Sequence, residues 1–151
     1  MKILISIILS AIFVANTAQA NNLGFLSGYK NSNEPKFAHQ KDAFKFSSKR
    51  EENTVILTWI ILDKYYMYRD KIKIKVKNNQ DGIFKKLTNK NYSHTTNHVI
   101  KFDEGFEKDM HVFYEIMEIE IENHNYYEIK VQSQGCAEKG FCYAPHEEII
   151  K

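Results

Sequence analysis

Cys136 and Cys142 are the two cysteines of the 151-residue chain, and five residues separate them. A thiol pair this close can form a structural bridge, hold a metal, or exchange reversibly with other thiols. As a bridge it closes a very small ring, and on the entropy account a short ring stabilises less than a long one. It also joins near neighbours, whereas a bridge that staples a sandwich joins distant strands. Gly135 and Gly140 sit beside the sulfurs and are expected to supply the backbone freedom that tight closure needs. Zinc is poorly supported, because a second ligand pair at metal spacing is missing. The spacing is not the Cys-x-x-Cys of a thioredoxin-type motif, and no accompanying helix is evident. The residues alone leave two readings open: a plain stabilising disulfide, ordinary in an exported domain, and a pair kept for its reactivity.

Other groupings carry less. His94 and His98 have the i, i+4 spacing of helical metal pairs. Their neighbours Ser93, Thr95, Thr96 and Asn97 favour a loop, and no third ligand is near, so no metal and no cofactor is expected. No nucleophile-elbow motif is present. Lys71, Lys73, Lys75 and Lys77 alternate with apolar residues, which reads as a solvated strand face rather than a membrane- or anion-binding comb. Lys and Arg number 21 against 19 Asp and Glu, for a net charge of +2. That excess is too small for a nucleic-acid partner.

The elements that must position the cysteines follow from the pattern along the chain. Lys2, an apolar run over 3–15 and the small-x-small sequence Ala18-Gln19-Ala20 predict a signal peptide at 1–20, with the mature chain starting at Asn21. The run falls short of the roughly 20 apolar residues of a spanning helix. Residues 21–42 are polar and turn-rich and read as a loosely held N-terminal arm, leaving 43–151 as one domain. Residues 43–46 alternate as a short strand. Residues 54–62 (TVILTWIIL) are apolar on both parities, which predicts a central strand buried on both faces. Residues 71–77 alternate strictly, giving one dry and one wet face. Asp81-Gly82 marks a turn, 99–102 a further strand, and 103–109 a charged loop whose one large apolar residue is Phe106. Residues 112–122 form a strand in which the Ile116-Met117 pair breaks parity, predicting a bulge. A turn at 123–125 precedes a strand with Tyr127, Ile129 and Val131 on one face, and the cysteine loop follows directly. Short strands without an amphipathic helix predict an all-β, antiparallel β-sandwich.

Three segments add a resemblance. Residues 135–143 (GCAEKGFCY) resemble the QGCA-x-x-G-x-CYPP signature of the N-terminal periplasmic domain of DsbD, the thiol:disulfide interchange protein. Residues 59–72 (WIILDKYYMYRDKI) resemble that family's W-x-I-x-x-G-YYLYRDKI hallmark. Residues 103–108 fall where the family carries its cap loop, with Phe106 on the aromatic that shields the disulfide. The chain departs from the pattern at Ala144, where the family has Pro, and at Lys64, where it has Gly. The aromatic after the cap Phe is also missing.

The resemblance implies an immunoglobulin-like fold and a Cys136–Cys142 pair that cycles between dithiol and disulfide. Cys142 would form the mixed disulfide with partners and Cys136 would resolve it. Electrons would come from a thioredoxin-like donor charged by a membrane electron transporter of the DsbD type. They would pass to periplasmic thioredoxin-fold acceptors such as disulfide isomerases and cytochrome c maturation reductases. Phe106 is expected to act as a gate over the sulfurs, Tyr66 and Tyr68 to floor the site, and Glu104 to tune proton transfer. The chain then reads as a stand-alone form that works with separately encoded partners. The competing reading is a non-enzymatic exported β-sandwich, a binding or chaperone module whose disulfide is inert.

Overall fold

β-Branched and aromatic residues at alternate positions build the longer strands of the computed structural model, which describes residues 37–122 and 125–151. The expected signal peptide at 1–20, and the expected arm up to residue 36, lie outside the described residues. In chain order there follow a short helix α1 (Gln40–Ala43) and strands β1 (Phe44–Arg50), β2 (Thr54–Ile61) and β3 (Tyr65–Tyr68). A 3-10 turn (Arg69–Lys71) leads to β4 (Lys73–Lys77), β5 (Lys85–Lys86), β6 (Tyr92–His94), β7 (Val99–Asp103) and β8 (Lys108–Phe113). The chain ends with β9 (Ile116–Glu122), β10 (Glu128–Ser133), β11 (Gly135–Ala137), β12 (Phe141–Cys142) and β13 (His146–Ile150).

The strands pair antiparallel in three sheets, ordered β1-β2-β9-β6, β13-β10-β4-β5 and β12-β11-β3-β8-β7. Val55, Leu57 and Trp59 of β2, with Met117, Ile119 and Ile121 of β9, supply the dry face of the first sheet. They share one core with Ile74 and Val76 of β4 and Ile129 and Val131 of β10. The result is the all-β antiparallel sandwich that the alternation predicts, of the immunoglobulin-like kind the resemblance implies, with the lysines of β4 and the glutamates of β9 on the outward faces.

Four local expectations change. β2 is central in its sheet, but it is not buried on both faces: Ile60 is half exposed, and Ile56 and Thr58 are only partly covered. An apolar residue on the wet parity of a sandwich strand is tolerated, which is why composition alone misled. The expected bulge at Ile116-Met117 is instead a break between strands of different sheets. Glu115 adopts a left-handed φ of 61°, and the Ile116 N–H turns back onto the Tyr114 carbonyl. Tyr127 lies outside β10 and is exposed, while Glu128 is buried against Lys77 at 3.0 Å. Finally, residues 37–43 are packed rather than loose. Phe37 and Ala38 lie on the core, and the Ala38 backbone bonds two tyrosine hydroxyls.

Lys64 also takes a left-handed φ, of 65°. That conformation explains why the resembling family carries Gly there. Gly135 does something other than the expected flexing. A Cβ built on it would lie 2.6 Å from Phe44 Cε1 and 2.7 Å from the Tyr66 carbonyl oxygen. Only hydrogen fits between the cysteine strand and its neighbours. Gly135→Ala should therefore cost about 1–3 kcal/mol, the usual scale of overpacking. Urea unfolding of the oxidised protein measures it, and an unchanged midpoint would show that the gap can open freely.

Candidate redox site

The cysteines sit on a hairpin at the edge of the five-stranded sheet. β11 and β12 pair so that Cys136 and Cys142 are direct cross-strand partners, and their sulfurs are bonded. The turn between them needs Gly140, whose φ is +84°, and closes with the Gly140 N–H on the Ala137 carbonyl at 3.0 Å. β11 in turn pairs with β3, placing Cys136 opposite Tyr66. The two sulfur-bearing residues are unequal: Cys136 is fully buried, whereas Cys142 is exposed.

β3 is buried at all four positions, because both of its faces are used. Tyr65 and Met67 point into the main core. Tyr66 and Tyr68 point the other way, into a smaller cluster with Met110, Val112 and Cys136. The Tyr68 hydroxyl lies 3.1 Å from Cys136 Sγ and 3.8 Å from Cys142 Sγ. The same hydroxyl donates to Asp103 Oδ2 at 2.5 Å, and Tyr66 Oη reaches that oxygen at 3.4 Å. Burial, then the bond to Asp103, pushes the Tyr68 phenol far above its usual range. Burial likewise raises Tyr66. Burial alone would raise Asp103 as well. Hydrogen bonds from Tyr68, from the Phe106 and Gly105 N–H groups and from Tyr66 outweigh it and leave the carboxyl below its ordinary value.

Phe106 stands in the β7–β8 turn, where the cap was expected. Its ring packs edge-on against Tyr68, with centroids 5.8 Å apart, and Lys71 Nζ sits 4.2 Å from its centre. Its backbone N–H donates to Asp103 Oδ1 at 3.1 Å. Tyr66, Tyr68, Phe106 and both cysteines are thus brought together. Glu104 is not: it is exposed, and the acid that meets the tyrosines is its neighbour Asp103, which sequence reasoning missed. A signal was present. An Asp that opens a tight turn commonly accepts bonds from the backbone that follows. Its second oxygen, spent on Tyr68, left no trace in the local sequence.

The far side of the hairpin is clamped by aromatic rings. Tyr143 bonds the Gly135 carbonyl through its N–H, and its hydroxyl donates to the Ala38 carbonyl. Phe44 meets Tyr143 edge-on at 5.5 Å, and Phe37 stacks on Phe141 at 4.6 Å.

A family model described as thiol:disulfide interchange protein DsbD, N-terminal, matches residues 34–151. The chain belongs to the DsbD N-terminal family. The DsbD of Pseudoalteromonas atlantica is 30% identical over 90% of this chain, and that of Colwellia psychrerythraea is 32% identical over all of it. The chain spans 21% and 25% of those two proteins, so it corresponds to one part of them. Among solved structures, the reduced DsbD N-terminal domain of Neisseria meningitidis superposes with a TM-score of 0.61 at 23% identity, over 76% of this chain and 87% of that one. The complex of that organism's DsbD N-terminal domain with the PilB N-terminal domain gives 0.58 at 24%, over 77% and 87%. Both likenesses carry the DsbD N-terminal fold. Among the described residues, no helix is long and apolar enough to cross a membrane.

Asp103 gives the site a testable pH signature. A carboxyl lowered by folding stabilises the protein above its unfolded value, and that contribution is lost as pH falls through the folded value. Asp103→Asn keeps the shape but removes the charge that Tyr68 and Phe106 bond. Unfolding at neutral pH should show a loss of about 1.5–3 kcal/mol, the scale of hydrogen bonds to a charged group. The gap between wild type and variant should then shrink below pH 4 or so. A gap independent of pH would remove the ionised carboxylate from the account.

Proposed function

We propose that this protein is a periplasmic protein-disulfide reductase of the thiol–disulfide interchange type, relaying electrons through Cys136 and Cys142. The observation that carries the reading is the asymmetry of the pair: one sulfur-bearing residue exposed on a two-residue edge strand, the other buried beside a tyrosine–carboxylate network. A stapling bridge has no need of that arrangement. Family membership supports the same chemistry, and the leader-like sequence pattern of residues 1–20 supports export.

In the reductive half-cycle, a donor thiolate attacks Cys142 Sγ, the Cys136–Cys142 bond breaks, and Cys136 departs with the electron pair. The new thiolate forms 3.1 Å from the Tyr68 hydroxyl. With its proton on Asp103 that hydroxyl accepts from the Cys136 thiol, and it donates to the charged thiolate only by turning its proton away from Asp103. A second donor thiol resolves the mixed disulfide and leaves Cys136 and Cys142 reduced. Cys142 then attacks an oxidised acceptor, and Cys136 displaces the acceptor as a dithiol. The donor is a membrane-linked thioredoxin-like domain. The acceptors are periplasmic thioredoxin-fold proteins, disulfide isomerases or cytochrome c maturation reductases. The solved complex of a related domain with PilB supports partner docking at this kind of domain.

Two measurements test the proposal. The reduction potential should lie above about −300 mV, the region of labile rather than structural bridges; a lower value would favour the inert sandwich. Cys136→Ala should trap mixed disulfides with a thioredoxin-fold partner through Cys142, and Cys142→Ala should not. The reverse pattern would exchange the two roles. The gate has its own test. Phe106→Ala should speed oxidation of the dithiol by a small oxidant such as a glutathione disulfide, and an unchanged rate would end the gating role.

A further inference from the structure

The hallmark segment around β3 does more than floor the disulfide. Tyr66 and Tyr68 face the sulfurs, and Lys71 lies on the Phe106 ring. The two residues between, Arg69 and Asp70, line a different region, an open cavity of about 1180 Å³ bounded also by β4 and the 86–98 segment. No cysteine lines it, and the redox chemistry above makes no use of it.

The cavity is strongly cationic in a chain that is nearly neutral. Arg69, Lys73, Lys86 and Lys90 line it against one acid, Asp70. Among the described residues, none of these four cations has an ion-pair partner within 4.0 Å. His94 and His98 complete the wall, and His94 Nδ1 is a buried nitrogen without a hydrogen-bond partner among the described residues.

The histidines do not make this a metal site. His98 and His111 approach to 4.7 Å between ring centres. Burial first, and the Arg69 charge second, hold the His94 imidazole down to about 4 and lower His98 as well. The Arg69 guanidinium beside both imidazoles also repels a metal cation. The same field favours an anion, and a guanidinium fork matches phosphate and carboxylate oxygens. The cavity, at about 1180 Å³, is far larger than one inorganic ion and lies just above the usual range of small-molecule sites, about 300–1,000 Å³.

We propose that this cavity binds a free small molecule carrying two or more phosphate or carboxylate groups, with Arg69 as its central contact and Lys73, Lys86 and Lys90 around it. Pyrophosphate is the probe, titrated into the oxidised protein by calorimetry at near-physiological salt. Binding should be saturable and one to one, and inorganic phosphate should bind more weakly. The imidazole nitrogen signals of His94 and His98 should move with saturation. Arg69→Gln should weaken binding by about tenfold or more, as loss of a charge-assisted contact does. The exposed pair Lys73→Gln with Lys90→Gln should do the same, and it serves if Arg69→Gln does not fold. Lys49→Gln with Lys151→Gln removes the same charge elsewhere and should leave affinity within about twofold, as distant screened charges do. Equal losses in that control, or a titration that never saturates, would overturn the site. So would binding to phosphatidylglycerol vesicles through the same residues without any binding of pyrophosphate, because the cation cluster would then be a membrane surface.

Discussion

Everything at the redox site depends on one strand being dry on both faces. β3 is four residues long, and its parity divides the molecule: Tyr65 and Met67 belong to the main core, Tyr66 and Tyr68 to the sulfur site. A strand so placed cannot slip register by one residue without sending the site's tyrosines into the core. The β11 strand that carries Cys136 is hydrogen-bonded along it, and Gly135 is the thin point that lets the two approach. The position of Cys136 Sγ relative to the Tyr68 hydroxyl is therefore fixed by the sandwich itself rather than by the loop.

The reactive pair is built at low structural cost to the fold. β12 is two residues long and terminates its sheet, so opening the bridge disturbs no strand beyond it. What keeps the hairpin in place without the bridge is a ring cluster on its other side, with Phe44, Tyr65 and Tyr143 joined to the segment from residue 37. That division lets the sulfurs cycle while the backbone stays put. It also gives residues 37–43 a purpose that their polar, turn-rich composition concealed.

Period-two patterns made much of this architecture legible. Ile72, Ile74 and Val76 read correctly as one inward row, as did Ile119 and Ile121, because each row is buried by a single opposing layer. The cysteine spacing and the flanking motifs located the site. What stayed hidden were relations between distant residues. The break at Glu115 looks like a bulge, because a parity change in sequence does not say whether the strand stays in its sheet. Asp103 reads in sequence as one more acid of a charged segment, and the expectation falls on Glu104 beside it. Only the pairing of β7 with β8 decides which carboxylate turns inward. Gly135 reads as flexible in the sequence, but what matters is its small size, which depends on Phe44, 91 positions earlier.

Asp103 holds two things at once: one oxygen takes the Tyr68 hydroxyl and the other takes the Phe106 amide. On the proposed mechanism, a partner that lifted Phe106 away together with its backbone would strip the carboxylate of one of the bonds that keep it ionised. Its proton affinity would then rise at the moment of docking, beside a sulfur about to leave as an anion. Association and proton uptake would become a single linked equilibrium, with the complex rather than the free protein setting the acid–base state of the exchange.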